Sequence, residues 1–146
     1  MREIKFRAWK PINSNPNDMR MDYTPQFFAE DGNGLVTING LFASPIDYYE
    51  DSYTDPSAKI VLMQFTGMHD VNGREIYEGD ILEFRDWVST WDDSPTTLHA
   101  VVDWDERSGI WLAGTRILWK VIDHCHGTVV GNRYENPELM EVAEHE

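Results

Sequence analysis

Apolar and polar side chains alternate along residues 2–9, with Ile4, Phe6 and Ala8 on one side and Glu3, Lys5 and Arg7 on the other. A period of two belongs to a half-buried strand, because successive side chains leave a strand on opposite faces. Residues 11–17, Pro-Ile-Asn-Ser-Asn-Pro-Asn, are turn formers and predict a loop. Residues 19–28 and 35–42 carry Met21, Tyr23, Phe27 and Phe28, then Leu35, Val36, Ile38, Leu41 and Phe42. Between them lies Asp31-Gly32-Asn33-Gly34, whose Gly and Asn residues readily take the positive φ of a hairpin turn, so a short hairpin is expected. Residues 45–59 are acidic, tyrosine-rich and bracketed by prolines, and predict a loop or small insertion over about 43–59.

The second half repeats short apolar runs between turn signals. Ile60 to Phe65 suits a buried strand, and Asp70-Val71-Asn72-Gly73 supplies a turn. Glu78-Gly79-Asp80 bends the chain into a strand over 81–87, with Ile81 on one face and Leu82 and Phe84 on the other. After an acidic loop at 88–97, Leu98 to Asp105 and Ile110 to Ala113 form a hairpin about Glu106-Arg107-Ser108-Gly109. Residues 117–122 and 127–131 predict two more strands, and 136–140 one helical turn or an edge strand. Many short strands without a long amphipathic helix predict a mainly β fold, a small barrel-like or strongly curled antiparallel sheet with few short helices.

Three stretches resemble the YopX family, small phage and prophage proteins whose molecular function is not established. The central one runs from Gln64 through Thr66, Gly67, Asp70, Gly73, Tyr77, Gly79 and Asp80 to Ile81. A closing one runs from Val129 through Gly131, Asn132, Asn136 and Pro137 to Leu139, and Arg2 to Trp9 is similar to the family's first strand. The resemblance implies a phage or prophage origin in a bacterial cytoplasm, and homo-oligomerisation. Arg133 departs from it, standing where an apolar residue is usual, and the 88–97 loop with two tryptophans has no counterpart in it.

Length and composition narrow what the chain can do. At 146 residues it has the size of one main domain, spanning 1–146. No run of about 18 apolar residues crosses a membrane, and the alternating N-terminus is unlike a secretion signal. The single cysteine, Cys125, excludes an intramolecular disulfide and any zinc site needing several cysteines, as in a reducing cytoplasm. A formal charge of −14 removes the positive field that dominates affinity for phosphate backbones, so direct nucleic-acid binding is not expected. Residues 1–60 carry six basic and nine acidic side chains, −3; residues 61–146 carry six and 17, −11. The first ten residues run the other way, at +3, and are expected to form an edge strand protected by charge.

Candidate chemistry is thin. In a strand His124 and His126 would share a face, suited to a divalent ion only if a third ligand such as His69 or His99 joined them. No metal or cofactor is expected. Cys125 as a nucleophile needs an imidazole aimed at it, and strand neighbours point apart, so a small buried thiol is the expectation. Asp103 and Asp105 share a strand face but lie among so many acids that a solvated surface is expected. Glu78, Gly79 and Asp80 have a turn-forming explanation. No phosphate loop, dinucleotide fingerprint, nucleophile elbow or paired-histidine zinc helix occurs, and no enzymatic activity is expected.

Six tryptophans is a high load for this length. Trp87 and Trp91 belong to an acidic loop and, with Asp92 and Asp93, are expected to anchor a protein interface, whereas Trp104 and Trp111 on the clear hairpin are expected in the core. Two functions follow: a self-assembling module that binds a host or phage protein, or an acidic mimic of nucleic acid that blocks a host DNA-binding protein.

Overall fold

The structure, a computed structural model, describes residues 3–12, 15–25, 27–30, 35–38, 41–43, 60–87, 91 and 93–144. It is mainly β, in strongly curled antiparallel sheets, with two short helices. The chain divides into two compact units, Ile4–Gln64 and Phe65–Glu146, the second also holding the first three residues. The expected insertion at 43–59 and the hairpin turn at 31–34 lie outside the described residues, Ala43 excepted.

In the first unit β1 (Phe6–Ile12) lies between β2 (Asn15–Asp22) and the first half of β6 (Val61–His69), with Ala8 opposite Asp22 and Arg7 opposite Met63. The expected edge strand is therefore an internal one. Flanked on both sides, β1 buries Arg7 as well as Ala8, and the Arg7 guanidinium lies 5.8 Å from the Tyr23 ring. Lys10 pairs with Asp22 at 3.1 Å, so basic side chains of this segment are engaged within their own unit. Residues expected as a loop, Pro11–Ile12 and Asn15–Asn17, belong to β1 and β2. The register slips between Pro11 and Ile12, where a residue without an N–H is tolerated at a bulge. β3 (Phe27–Glu30), β4 (Leu35–Ile38) and β5 (Leu41–Ala43) form a second antiparallel sheet, so a hairpin is present but between β3 and β4, Phe27 opposite Ile38, while residues 19–22 of the expected first arm belong to β2 and 41–42 of the second to β5.

The second unit is a five-stranded sheet of order β11-β10-β9-β8-β12, built from β8 (Asp80–Asp86), β9 (Thr96–Asp105), β10 (Ile110–Ala113), β11 (Arg116–Ile117) and β12 (Thr128–Asn132). β7 (Glu75–Tyr77) pairs with the second half of β6. The strand expected over 117–122 is instead β11 followed by helix α1 (Leu118–Cys125). Leu118, Val121 and Ile122 are buried and Cys125 packs beside them, the i, i+3, i+4, i+7 spacing of a helix face. α1 covers a core made by Ile76, Leu82, Phe84, Leu98, Val102, Trp111 and Val129. It stops at His126, whose left-handed φ of 55° turns the chain so that Gly127 N–H donates to Val121 O at 3.0 Å. The closing segment is helix α2 (Pro137–Glu144), longer than the single turn expected, with proline at its first position, where the missing N–H costs nothing.

Candidate interaction surface

Among the described residues, the second unit carries two hollows and one buried lattice of polar side chains. The first hollow, about 480 Å³, is lined by Asp86, Trp87, Pro95, His124, Cys125 and His126 among others. Asp86 sits at the end of β8 and accepts a hydrogen bond from Trp87 N–H at 2.8 Å. Its other oxygen pairs with Arg116 Nε at 3.1 Å, and the Arg116 guanidinium lies 5.3 Å from the Phe84 ring. The Trp87 amide, helped by Arg116, holds the Asp86 carboxyl below its ordinary range against the opposing effect of burial. Burial first, and then the nearby Asp86 charge, push the Cys125 thiol pKa up. A protonated thiol beside a carboxylate is a poor nucleophile.

The histidines do not converge. α1 overturns the expectation that His124 and His126 share a strand face: His124 lies in its last turn, 5.8 Å from the Trp119 ring, and His126 is the cap residue. His99 meets Glu83 at 3.1 Å, and His69 packs edge-on against Phe65 at 5.6 Å. Among the described residues no three metal-ligating side chains come together. Asp103 pairs with Arg133 at 2.6 Å, and Asp105 accepts from Ser108.

The tryptophans separate by exposure. Trp91 is 91% exposed and Trp87 54%, with exposed Asp93 nearby in sequence; Asp92 lies outside the described residues. On the hairpin Trp111 is buried, but Trp104 is 41% exposed, against the expectation that both are core. It stands one residue from the end of β9, where the sheet runs out of cover. The two rings meet edge to face at 5.1 Å, and with Trp119, Met68, Ile110 and Ile117 they line a second hollow of about 420 Å³. The Trp104–Trp111 pair follows from the hairpin register; Trp119 joins it because its segment is helix α1, not the expected strand.

The lattice is made by the turn residues. Thr66 donates to Ile76 O at 2.8 Å and accepts from Met68 N–H at 3.1 Å, holding the slipped register of β6 against β7 next to Gly67. Buried Asp70 accepts from the amides of Asn72 and Arg74, each at 2.9 Å, through one oxygen, and from Val129 N–H at 2.9 Å through the other, tying the turn to β12. Gly73 completes that turn at φ +85°. Asp80 accepts from Tyr77 N–H at 2.8 Å, and Gly79 bridges Val102 and Arg133 through its own N–H and C=O. Asn132 accepts from the amides of Tyr134 and Glu135, while its own amide donates to Asn136 Oδ1 at 3.2 Å. Tyr77 is buried against Phe65 at 5.5 Å, and Gln64 faces Phe6 across β1 and β6.

A family model described as YopX protein matches residues 5–141. The chain belongs to the YopX family. The chain is also similar to protein EF1440 from Enterococcus faecalis, whose crystal structure aligns with a TM-score of 0.48 and 25% identity over 96% of this chain and 99% of the other. No curated protein matches. Within the YopX frame, the residues of the central and closing stretches are those of the polar lattice, not of either hollow, save Thr66 and Met68, which border the second. Arg133, the departure in the closing stretch, has its charge taken up by Asp103. No helix among the described residues is long and apolar enough to cross a membrane.

Proposed function

We propose that this YopX-family protein is a non-enzymatic, self-assembling interaction module of phage or prophage origin that acts in the bacterial cytoplasm and binds a host or phage protein through its tryptophan-bearing loop. The observation that carries this reading is the exposure of Trp87 and Trp91, which precede acidic Asp92 and Asp93 in sequence, with Trp87 lining a hollow of about 480 Å³. An indole left in water at that extent gains most when a partner covers it, which is why tryptophan is enriched among residues that dominate interface energy. His124, Cys125 and His126 line the same hollow, where burial and the Asp86 charge push the Cys125 thiol pKa up. The acidic-mimic reading needs carboxylates left free to stand in for phosphates. Those of Asp70, Asp80, Asp86 and Asp103 are engaged by the protein's own groups, whereas Asp93 is exposed, so mimicry rests on the 92–93 segment.

Affinity capture from host lysate at low and high salt, with the oligomeric state measured by light scattering, tests the proposal. The expected result is self-association or a partner retained at high salt, lost in Trp87→Ala and Trp91→Ala. Unchanged association in both variants refutes the loop anchor. A DNA-binding partner released by salt and displaced by DNA replaces it with mimicry, because exposed charge contacts weaken as the Debye length falls.

A further inference from the structure

We infer that the second hollow of the C-terminal unit is a binding site for a small planar aromatic molecule, neutral or cationic, carrying a hydrogen-bond acceptor. Its lining shares no residue with the first hollow, so the inference stands apart from the loop-anchor reading.

Four observations meet there. The hollow holds about 420 Å³, in the range of small-molecule clefts and far below a protein interface. Its walls are Trp104, Trp111 and Trp119 with Met68, Ile110 and Ile117, and two of the indoles stay 41% and 46% exposed around one concavity. Rings set edge to face, as Trp104 and Trp111 are at 67°, offer both an edge and a face to a flat guest, the arrangements aromatic pairs prefer. Trp111, 6% exposed, has a buried indole N–H with no acceptor among the described residues. Buried donors are almost always paired, and a guest that shifts the Trp111 ring enough to uncover this N–H gains by supplying the acceptor it lacks.

Charge sets the remaining property of the guest. The chain carries −14, which opposes an anion, and Trp119 already receives a cation, Lys120 Nζ at 5.7 Å from its ring. A neutral carboxamide on a benzene ring is the simplest molecule with all of these traits.

The test follows the six indole N–H signals of the ¹⁵N-labelled full chain, assigned by single Trp→Phe variants, during titration with benzamide, cyclohexanecarboxamide and benzoate. Saturable shifts at Trp104, Trp111 and Trp119 are expected with benzamide, largest for the Trp111 N–H and with a Kd of about 1 mM or tighter, a fair affinity for so few atoms. The other two probes should bind at least fivefold more weakly. Trp111→Phe keeps a ring and removes the N–H, and should weaken benzamide at least fivefold; the exposed-site variant Trp119→Ala should do the same and decides the matter if the first variant does not fold. No saturable shift at these three indoles, shifts confined to Trp87 and Trp91, or equal binding of all three probes overturns the inference.

Discussion

The polar lattice around Asp70, Asp80 and Asn132 and the tryptophan-bearing surface use opposite rules within one unit. In the lattice each side chain is buried and consumed: both Asp70 oxygens accept backbone amides, and one of those amides, Val129, lies 59 positions away in sequence. On the surface Trp87 and Trp91 are exposed, and Trp111, which lines the second hollow, has a buried indole N–H without an acceptor among the described residues. A saturated polar group has done its work once the chain is folded. An exposed indole or an orphaned donor still has free energy to gain from another molecule. The family resemblance falls on the first kind of residue, so it speaks to architecture; the exposed indoles lie outside it.

Substitutions break or sharpen this contrast, beginning with the lattice. Asp70→Ala strands three amides and should lower the unfolding free energy by about 3–4 kcal/mol, read from denaturant midpoints. A loss under about 1 kcal/mol would show that water replaces the carboxylate and that the lattice is not a support. Gly131→Ala should cost about 2 kcal/mol, because an added Cβ collides with the Asn136 side chain that receives the Asn132 amide. A neutral effect there would mean the closing turn adjusts freely.

Asp86 tests the border between the two regions. Its folded-state pKa is depressed, so its stabilisation is fully present above the unfolded carboxylate value of about 3.9 and is lost as pH falls through the lower folded value. Asp86→Asn should flatten the acid limb of the stability profile below about pH 4 and cost about 0.5–1 kcal/mol at neutral pH, as expected for a half-exposed ion pair. Removing that charge should also speed Cys125 alkylation a few-fold at pH 8, since the Asp86 carboxylate is one of the groups holding the thiol protonated. An unchanged rate would assign the slow thiol to burial alone. The smallest effect is expected for Trp91→Ala, within about 0.5 kcal/mol of the parent by thermal unfolding. A larger loss would place Trp91 among the supports and remove it as an anchor.

Much of this molecule was legible from residue order, because turn chemistry and strand alternation are local. The Asp70–Gly73 and Glu78–Asp80 turns, the β9–β10 hairpin with its Trp104–Trp111 register, the mainly β class and the family resemblance all follow from side chains near one another in sequence. Where packing arbitrates, the sequence misled. Ile117 to Ile122 suits either a strand or a helix over so short a span, and only the core beneath Leu118, Val121 and Ile122 selects α1. That choice dissolved the histidine pair, placed Cys125 against Asp86 and brought Trp119 beside Trp104 and Trp111. The position of β1 between two partners, with Arg7 buried, was likewise set by which strands pair, a long-range contact that no local pattern encodes.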